Sequence, residues 1–322
     1  MQCRLLALLV AALSLAIAPS ARAQDTYPNR QIRIIVPLAP GGGLDTLARV
    51  LAQKFSTKLG QTVIVENRTG AAGNIGAETV FRAEPDGYTL LFTQPGPLTV
   101  SKALYGRTSF EAEEFVPVGM ASLQDIMLAV NPGLPVKNLQ ELIAYAKANP
   151  GKLNYGSSGA GSAPHLAAEL FKSMAKVDMV HVPFKGAAES MLATVAGQVH
   201  LTFFAFSTAL PNAKDGKLRA IAVGGSKRNP LLPDVPSISE ALPGYLAVSW
   251  TAMMAPPKMP PAIAQKLQQT MAEIMKEPDV RARLIDQGDQ VFDIAPAQMP
   301  AFLSEDRKRW GDLITSVGIK AE

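Results

Sequence analysis

A single cysteine occurs in 322 residues, and it is Cys3. Nothing beyond it offers a disulfide, a thiolate nucleophile or a cysteine metal site. Histidine is almost as scarce: His165, His181 and His200 are the only three, and no two have the spacing of a metal-binding pair. Neither a metal nor a cofactor is expected. Charge of one sign is missing too, with 31 basic against 27 acidic side chains, so nothing points to nucleic acid. Three motifs are absent by inspection. No Gly-Lys-Ser/Thr follows Gly41 to Gly43, which excludes a phosphate loop. The dinucleotide pattern Gly-x-Gly-x-x-Gly is not met there either. Gly156-Ser157-Ser158-Gly159 lacks the residue that a Gly-x-Ser-x-Gly elbow places before its last glycine.

Only one long apolar run exists, and it opens the chain. Arg4 gives a positive start, Leu5 to Ala18 an apolar stretch of about fourteen residues, and Ala21-Arg22-Ala23 a small-x-small site before Gln24. The run is short for a bilayer span, so residues 1–23 read as a cleaved signal peptide and the mature chain as soluble. Cys3 precedes the run, which is the wrong side for a lipid-bearing cysteine. Removing the leader takes Arg4 and Arg22, leaving 29 basic against 27 acidic residues. A cysteine-free mature chain suits export without dependence on bridges, and a bacterial periplasm is the expected destination.

What is present is a repeated alternation. Arg33 to Val36 is rich in buried-strand residues, Gly41 to Gly43 turn the chain, and Leu47, Val50, Leu51, Phe55 and Leu59 repeat at helical spacing. Gln61 to Asn67 and Tyr88 to Thr93 read as further strands, with a helix over Asn74 to Ala83 between them. A second series follows: a strand over Asp125 to Val130, helix Leu139 to Ala148, strand Leu153 to Tyr155, a helix over Ala163 to Ala175, strand Val180 to Pro183, helix Ala188 to Ala196, and strands Val199 to Phe206 and Arg219 to Val223. Three helices close the chain. This predicts an α/β architecture of two lobes, each a mainly parallel sheet flanked by helices, with a ligand cleft between them. Residues 24–123 and 245–322 form one discontinuous lobe and 124–244 the other. Ligands collect at strand carboxyl ends in such sheets, where loops 38–45, 70–76 and 93–97 lie. These carry Leu38, Ala39, Gly41, Gly42, Gly43, Asp45, Asn74 and Gln94 as candidates.

Certain segments resemble a known family. Tyr27-Pro28 through Asp45, Val65-Glu66-Asn67-Arg68 through Asn74-Ile75-Gly76-Ala77, and Pro85-Asp86-Gly87-Tyr88-Thr89-Leu90 are similar to the substrate-binding proteins of tripartite tricarboxylate transporters, the Bug family. So are Asn154-Tyr155-Gly156-Ser157-Ser158-Gly159, His181-Val182-Pro183-Phe184-Lys185-Gly186 and Leu232-Pro233-Asp234-Val235-Pro236. The resemblance implies a type II periplasmic binding protein fold. It implies a non-enzymatic, monomeric receptor that closes on a small carboxylate and delivers it to a membrane permease of one large and one small subunit. By the same resemblance, loop 38–45 contacts ligand through backbone groups and ordered water, with Asp45 nearby. Ser157, Ser158, Gly161 and Ser162 receive a carboxylate, with His165 close, and Phe184, Lys185 and Gly186 line another side. Where relatives often carry an acidic residue followed by Asn, this chain has Phe204-Ala205-Phe206. If that loop reaches the pocket, an aromatic or alkyl carboxylate fits better than citrate or an amino acid.

The residues allow other readings. Exposed N–H groups at a helix start and rotatable hydroxyls bind a carboxylate without formal positive charge, yet Gly156 to Ser162 also reads as an N-cap with glycine turns. Lys185 is a pocket cation or a solvated turn residue. A Ser/His hydrolase built on Ser157 or Ser162 with His165 is an alternative, and so is a periplasmic sensor in which closure is read by a signalling partner.

Overall fold

The computed structural model describes residues 27–292 and 294–319; the expected leader lies outside them. β1 (Ile32–Val36) has Ile34, Ile35 and Val36 fully buried, as a strand covered on both faces requires. α1 (Gly43–Leu59) follows, burying Leu44, Leu47, Leu51 and Phe55 in one stripe and ending at Gly60, whose N–H reaches Ser56 O. β2 (Val63–Asn67), α2 (Asn74–Phe81) and β3 (Thr89–Thr93) complete a parallel set in the order β2-β1-β3. A helical segment over Gly96–Val100 runs into α3 (Ser101–Tyr105).

β4 (Val116–Val130) is fifteen residues long. This corrects the expected strand at Asp125 to Val130. Pro117 and Gly119 hid its first half. Register shifts at Pro117/Gly119 and Met120/Ser122 accommodate the proline, which has no N–H for a ladder. α4 (Leu139–Ala148) is capped by Asn138, whose side chain accepts from Glu141 N–H. β5 (Asn154–Ser157), α5 (Ala163–Ala175), β6 (Val180–Pro183), α6 (Ala187–Val195) and β7 (Leu201–Ala205) then form a second parallel set in the order β7-β5-β6. The strand expected through Phe206 stops at Ala205, because α7 (Phe206–Lys214) starts there. β8 (Arg219–Val223), β9 (Val248–Ala255), α8 (Pro261–Ile274), α9 (Pro278–Asp286), β10 (Asp289–Val291) and α10 (Met299–Val317) finish the chain. The strand signals of the sequence do not extend to Val248–Ala255, and β9 there is a core strand.

All ten strands of the described residues belong to one curled, mixed sheet ordered β2-β1-β3-β9-β4-β7-β5-β6, with β8 and β10 also on β4. The two parallel sets are joined by antiparallel pairing. β4 pairs with β9 over Val116 to Asp125 and with β7 over Ile126 to Val130. It therefore changes partners between Asp125 and Ile126. Each half-sheet has its own apolar layers; Ile34, Leu51 and Leu267 belong to one, Leu128, Tyr155 and Phe171 to the other. Val100, Trp310, Leu313 and Ile314 pack into the second half's core, so the segment before α3 and the end of α10 reach across from the first. Among the described residues, no helix is long and apolar enough to cross a membrane, and no cluster of three His, Cys, Asp or Glu could hold a metal ion.

Candidate ligand site between the half-sheets

A cavity of about 450 Å³ opens where β4 changes partners. Its walls come from both halves: Leu38, Ala72, Gln94, Pro95 and Gly96 from the first, and Ser158, Gly161, Ser162, Ala163, Ala187, Phe204 and Thr208 from the second. Gln124, Asp125, Val248 and Ser249 form the part contributed by β4 and β9, and Trp310 of α10 joins Val100 and Leu166 as apolar wall. Among the described residues lining it, none is Lys, Arg or His. An anion held here is held by N–H groups and hydroxyls.

The strongest donor array is the start of α5. Ser162 is its N-cap without a side-chain cap bond, and no acidic residue lies in the first turn. The N–H groups of Ala163 and His165 have no acceptor within the helix, and Pro164 has no N–H to lose. The positive end of the helix faces the cavity unneutralised. The serine loop that precedes it is bound up internally. Ser157 Oγ accepts from Gly159 N–H at 3.1 Å and lies 2.6 Å from His181 Nε2. Ser162 Oγ donates to Gly159 O at 2.7 Å. Gly161 N–H donates to His165 Nδ1 at 2.9 Å. Gly161 has φ +72°, a left-handed backbone that favours glycine, and a Cβ there would press on the Leu104 side chain of α3.

The other glycine loop is built differently. Asp45 is buried and gathers the loop to itself. Its carboxylate accepts from Gly41 N–H at 2.9 Å, from Asn67 Nδ2 at 2.9 Å, and from Arg49 through both Nε and Nη2 at 3.0 Å. Burial opposes this charge but is outweighed by the bonds from Arg49, Gly41 and Asn67, which hold the carboxyl at about 2.

The expected site residues thus separate by position. Leu38, Gln94, Ser158, Gly161, Ser162 and Phe204 meet at the cavity. Ala39, Gly41, Gly42 and Gly43 are exposed outside its lining, and Asp45 braces their loop from below. Asn74 is half-buried, beyond Ala72. Ser157 is fully buried and His165 nearly so, both beneath the serine loop. Phe184 packs near Gly156, Lys185 is exposed with its N–H on Glu189, and Gly186 caps α6 just before the lining Ala187. Phe206 is fully buried against Gly288 instead of facing the cavity. The expected pairing of Ser157 or Ser162 with His165 is not found: Ser157 Oγ lies against half-buried His181, Ser162 Oγ donates to Gly159 O, and His165 Nδ1 accepts Gly161 N–H.

Gln124, Asp125, Ser249, Thr208, Ala187 and Trp310 were not legible as site residues. A signal existed for one, since Asp125 stands at the head of the apolar run Ile126 to Val130. Asp125 Oδ2 accepts from Asn229 Nδ2 at 2.8 Å, and nearby Asp289 Oδ2 accepts from Gln124 Nε2 at 2.9 Å. Burial raises both carboxyls. Asp125 rises against the bonds from Asn229 and Gln290, and Asp289 is pushed up to about 6 despite the Gln124 bond, with the charge of Asp125 adding to the rise.

Two half-sheets around a cavity walled by loops from both halves define the architecture of a periplasmic binding protein. The profile of the tripartite tricarboxylate transporter family receptor matches residues 47–319, and the chain belongs to that family. It is 34% identical over 299 residues to BugT of Bordetella pertussis, covering 92% of both chains. The R. palustris protein Rpa4515, solved with adipate, superposes with a TM-score of 0.81 at 34% identity, over 92% of this chain and 100% of that one. MatC of Rhodopseudomonas palustris, solved with malate, gives 0.77 at 33% identity over 89% and 100%. Receptors of this family are periplasmic solute-binding proteins that work with a membrane transporter, and they are not enzymes.

Proposed function

We propose that this protein captures a small organic carboxylate with an apolar body and delivers it, chemically unchanged, to a membrane permease of one large and one small subunit. The observation that carries this reading is the cavity: donors at the start of α5 on one side, apolar walls from Trp310, Val100, Leu166 and Phe204, and no cationic side chain among the described lining residues. Hydrogen bonds to a charged group contribute roughly 1.5–3 kcal/mol each, so three or four give micromolar affinity after ordering costs. The adipate of Rpa4515 and the malate of MatC support a carboxylate class; the apolar walls favour the alkyl or aromatic end of it. In this reading residues 24–123 with 245–322, and 124–244, are two lobes of a monomer that close about Asp125, where β4 changes partners. The leader directs the chain to the periplasm. Calorimetric titration against mono-, di- and aromatic carboxylates tests the proposal. One site per chain with preference for apolar carboxylates is expected; turnover of any of them, or no binding across the panel, would overturn it.

A further inference from the structure

We propose that His165 and His181 are positioning residues of the carboxylate seat, two stacked imidazoles that hold the serine loop in its binding geometry only while His165 is unprotonated. The inference rests on the carboxylate reading of the cavity above. The two rings lie 4.0 Å apart between centroids and 9° from parallel. Each ties down one end of the loop. His181 Nε2 is 2.6 Å from Ser157 Oγ at the loop's start, and His165 Nδ1 accepts Gly161 N–H at 2.9 Å near its end. An imidazole nitrogen that accepts a hydrogen bond carries no proton, whereas both nitrogens of a protonated ring are donors. Protonating His165 therefore sets an N–H against the N–H of Gly161. A Cβ at Gly161 would meet the Leu104 side chain, so the loop already packs on α3 and any shift toward it must displace Leu104.

The groups facing His165 set how firmly the neutral form is kept. His181 stacks on it from β6, and Tyr155 of β5 stacks on His181 at 5.0 Å. Glu169, on the next turn of α5, accepts from Tyr155 Oη and pairs with Lys172 at 2.7 Å. Burial, His181 and Lys172 disfavour charge on His165; together they outweigh the opposing pull of Glu169 and hold the ring down at about 4. A nearby anion favours the charged form of a histidine. Here it is kept neutral, and its work is done through the backbone of Gly161.

The experiment compares the mature chain with His165→Asn and His165→Leu. Asn places an acceptor where Nδ1 stands and does not titrate; Leu supplies no acceptor. Without ligand, the Gly161 amide signal is followed by NMR from pH 7 to pH 3.5. In the unsubstituted protein it should shift with a midpoint near pH 4, and in His165→Asn it should stay still. Binding is then measured with adipate and benzoate as probes. At pH 7 His165→Asn should bind within threefold of the unsubstituted protein and His165→Leu at least tenfold more weakly. From pH 7 to pH 3.5 the unsubstituted protein should lose about fourfold in affinity relative to His165→Asn, a ratio from which protonation of the probe cancels. A Gly161 amide that ignores pH, a constant ratio, or affinity that rises in acid would overturn the proposal. If neither probe binds at pH 7, the carboxylate reading fails for these compounds, and the Gly161 amide still decides the positioning role.

Discussion

The loops at 38–45 and 157–165 share a plan, strand then glycines then helix start, and the structure makes them opposites. The first is closed by a charge: Asp45 sits in the first turn of α1, takes Gly41 N–H, and is itself matched by Arg49 and Asn67. A carboxylate there neutralises the positive helix end, so that end has little left for an anionic ligand. The second is closed by a neutral ring, and its first turn contains no acid. Its helix end keeps its field for whatever enters the cavity. The difference between a brace and a seat lies less in the glycines than in what satisfies them.

Changes in the two loops should therefore be felt in different measurements. Asp45→Ala removes acceptors from three partners. It should cost about 3 kcal/mol, lowering Tm by about 6–12 °C, while the folded protein binds ligand within a few fold of normal. Binding lost without a drop in Tm would move the seat to the first loop.

Acid should separate the loops by pH. His165 is held at about 4, below its ordinary 6.5. The unfolded chain then binds the extra proton between those values, so stability falls as pH drops from 6.5 to 4 and levels off below, by roughly 3 kcal/mol in all. Asp45, held at about 2 and so below its ordinary 3.8, contributes stability fully present above 3.8 and lost as pH falls through 2, about 2 kcal/mol after allowance for the exposed Arg49. Urea unfolding of the unsubstituted protein, His165→Asn and Asp45→Asn across pH should show each slope vanish in its own variant. One slope surviving its substitution would remove that assignment.

Replacing Ser158 and Ser162 together by Ala should weaken carboxylate binding by about 1–3 kcal/mol, with Tm nearly unchanged. Because Ser162 Oγ already bonds Gly159 O, most of the loss should come from Ser158, and the single variants will show it. Phe204→Leu should have the smallest effect, under about 1.5 kcal/mol, and should weaken alkyl and aromatic carboxylates more than hydroxylated ones. Equal losses would remove Phe204 from the account of specificity.

The alternation of elements was legible because strands such as Ile34 to Val36 and helices such as α1 announce themselves by composition and period. β4 and β9 were not, since Pro117 and Gly119 interrupt one and the other lies in a stretch that reads as a connection before Pro256 and Pro257. With them went the wall they build, Gln124, Asp125 and Ser249. The serine loop was visible from its glycines and hydroxyls, but direction was not. Ser157 and His165 belong to the same short segment as Ser158 and Ser162 and turn inward, which is decided by the stack with His181, a residue on a different strand. Trp310 left no local sign at all; α10 brings it across from the chain's far end.

Calorimetric titration with a straight-chain dicarboxylate and with its uncharged diamide, at neutral pH and moderate salt, tests the central claim most directly. The account predicts one site per chain for the dicarboxylate, affinity in the micromolar range or tighter, and at least a hundredfold loss for the diamide of the same length. Equal binding of the two compounds would show that the cavity selects shape alone and that the start of α5 does not hold a carboxylate.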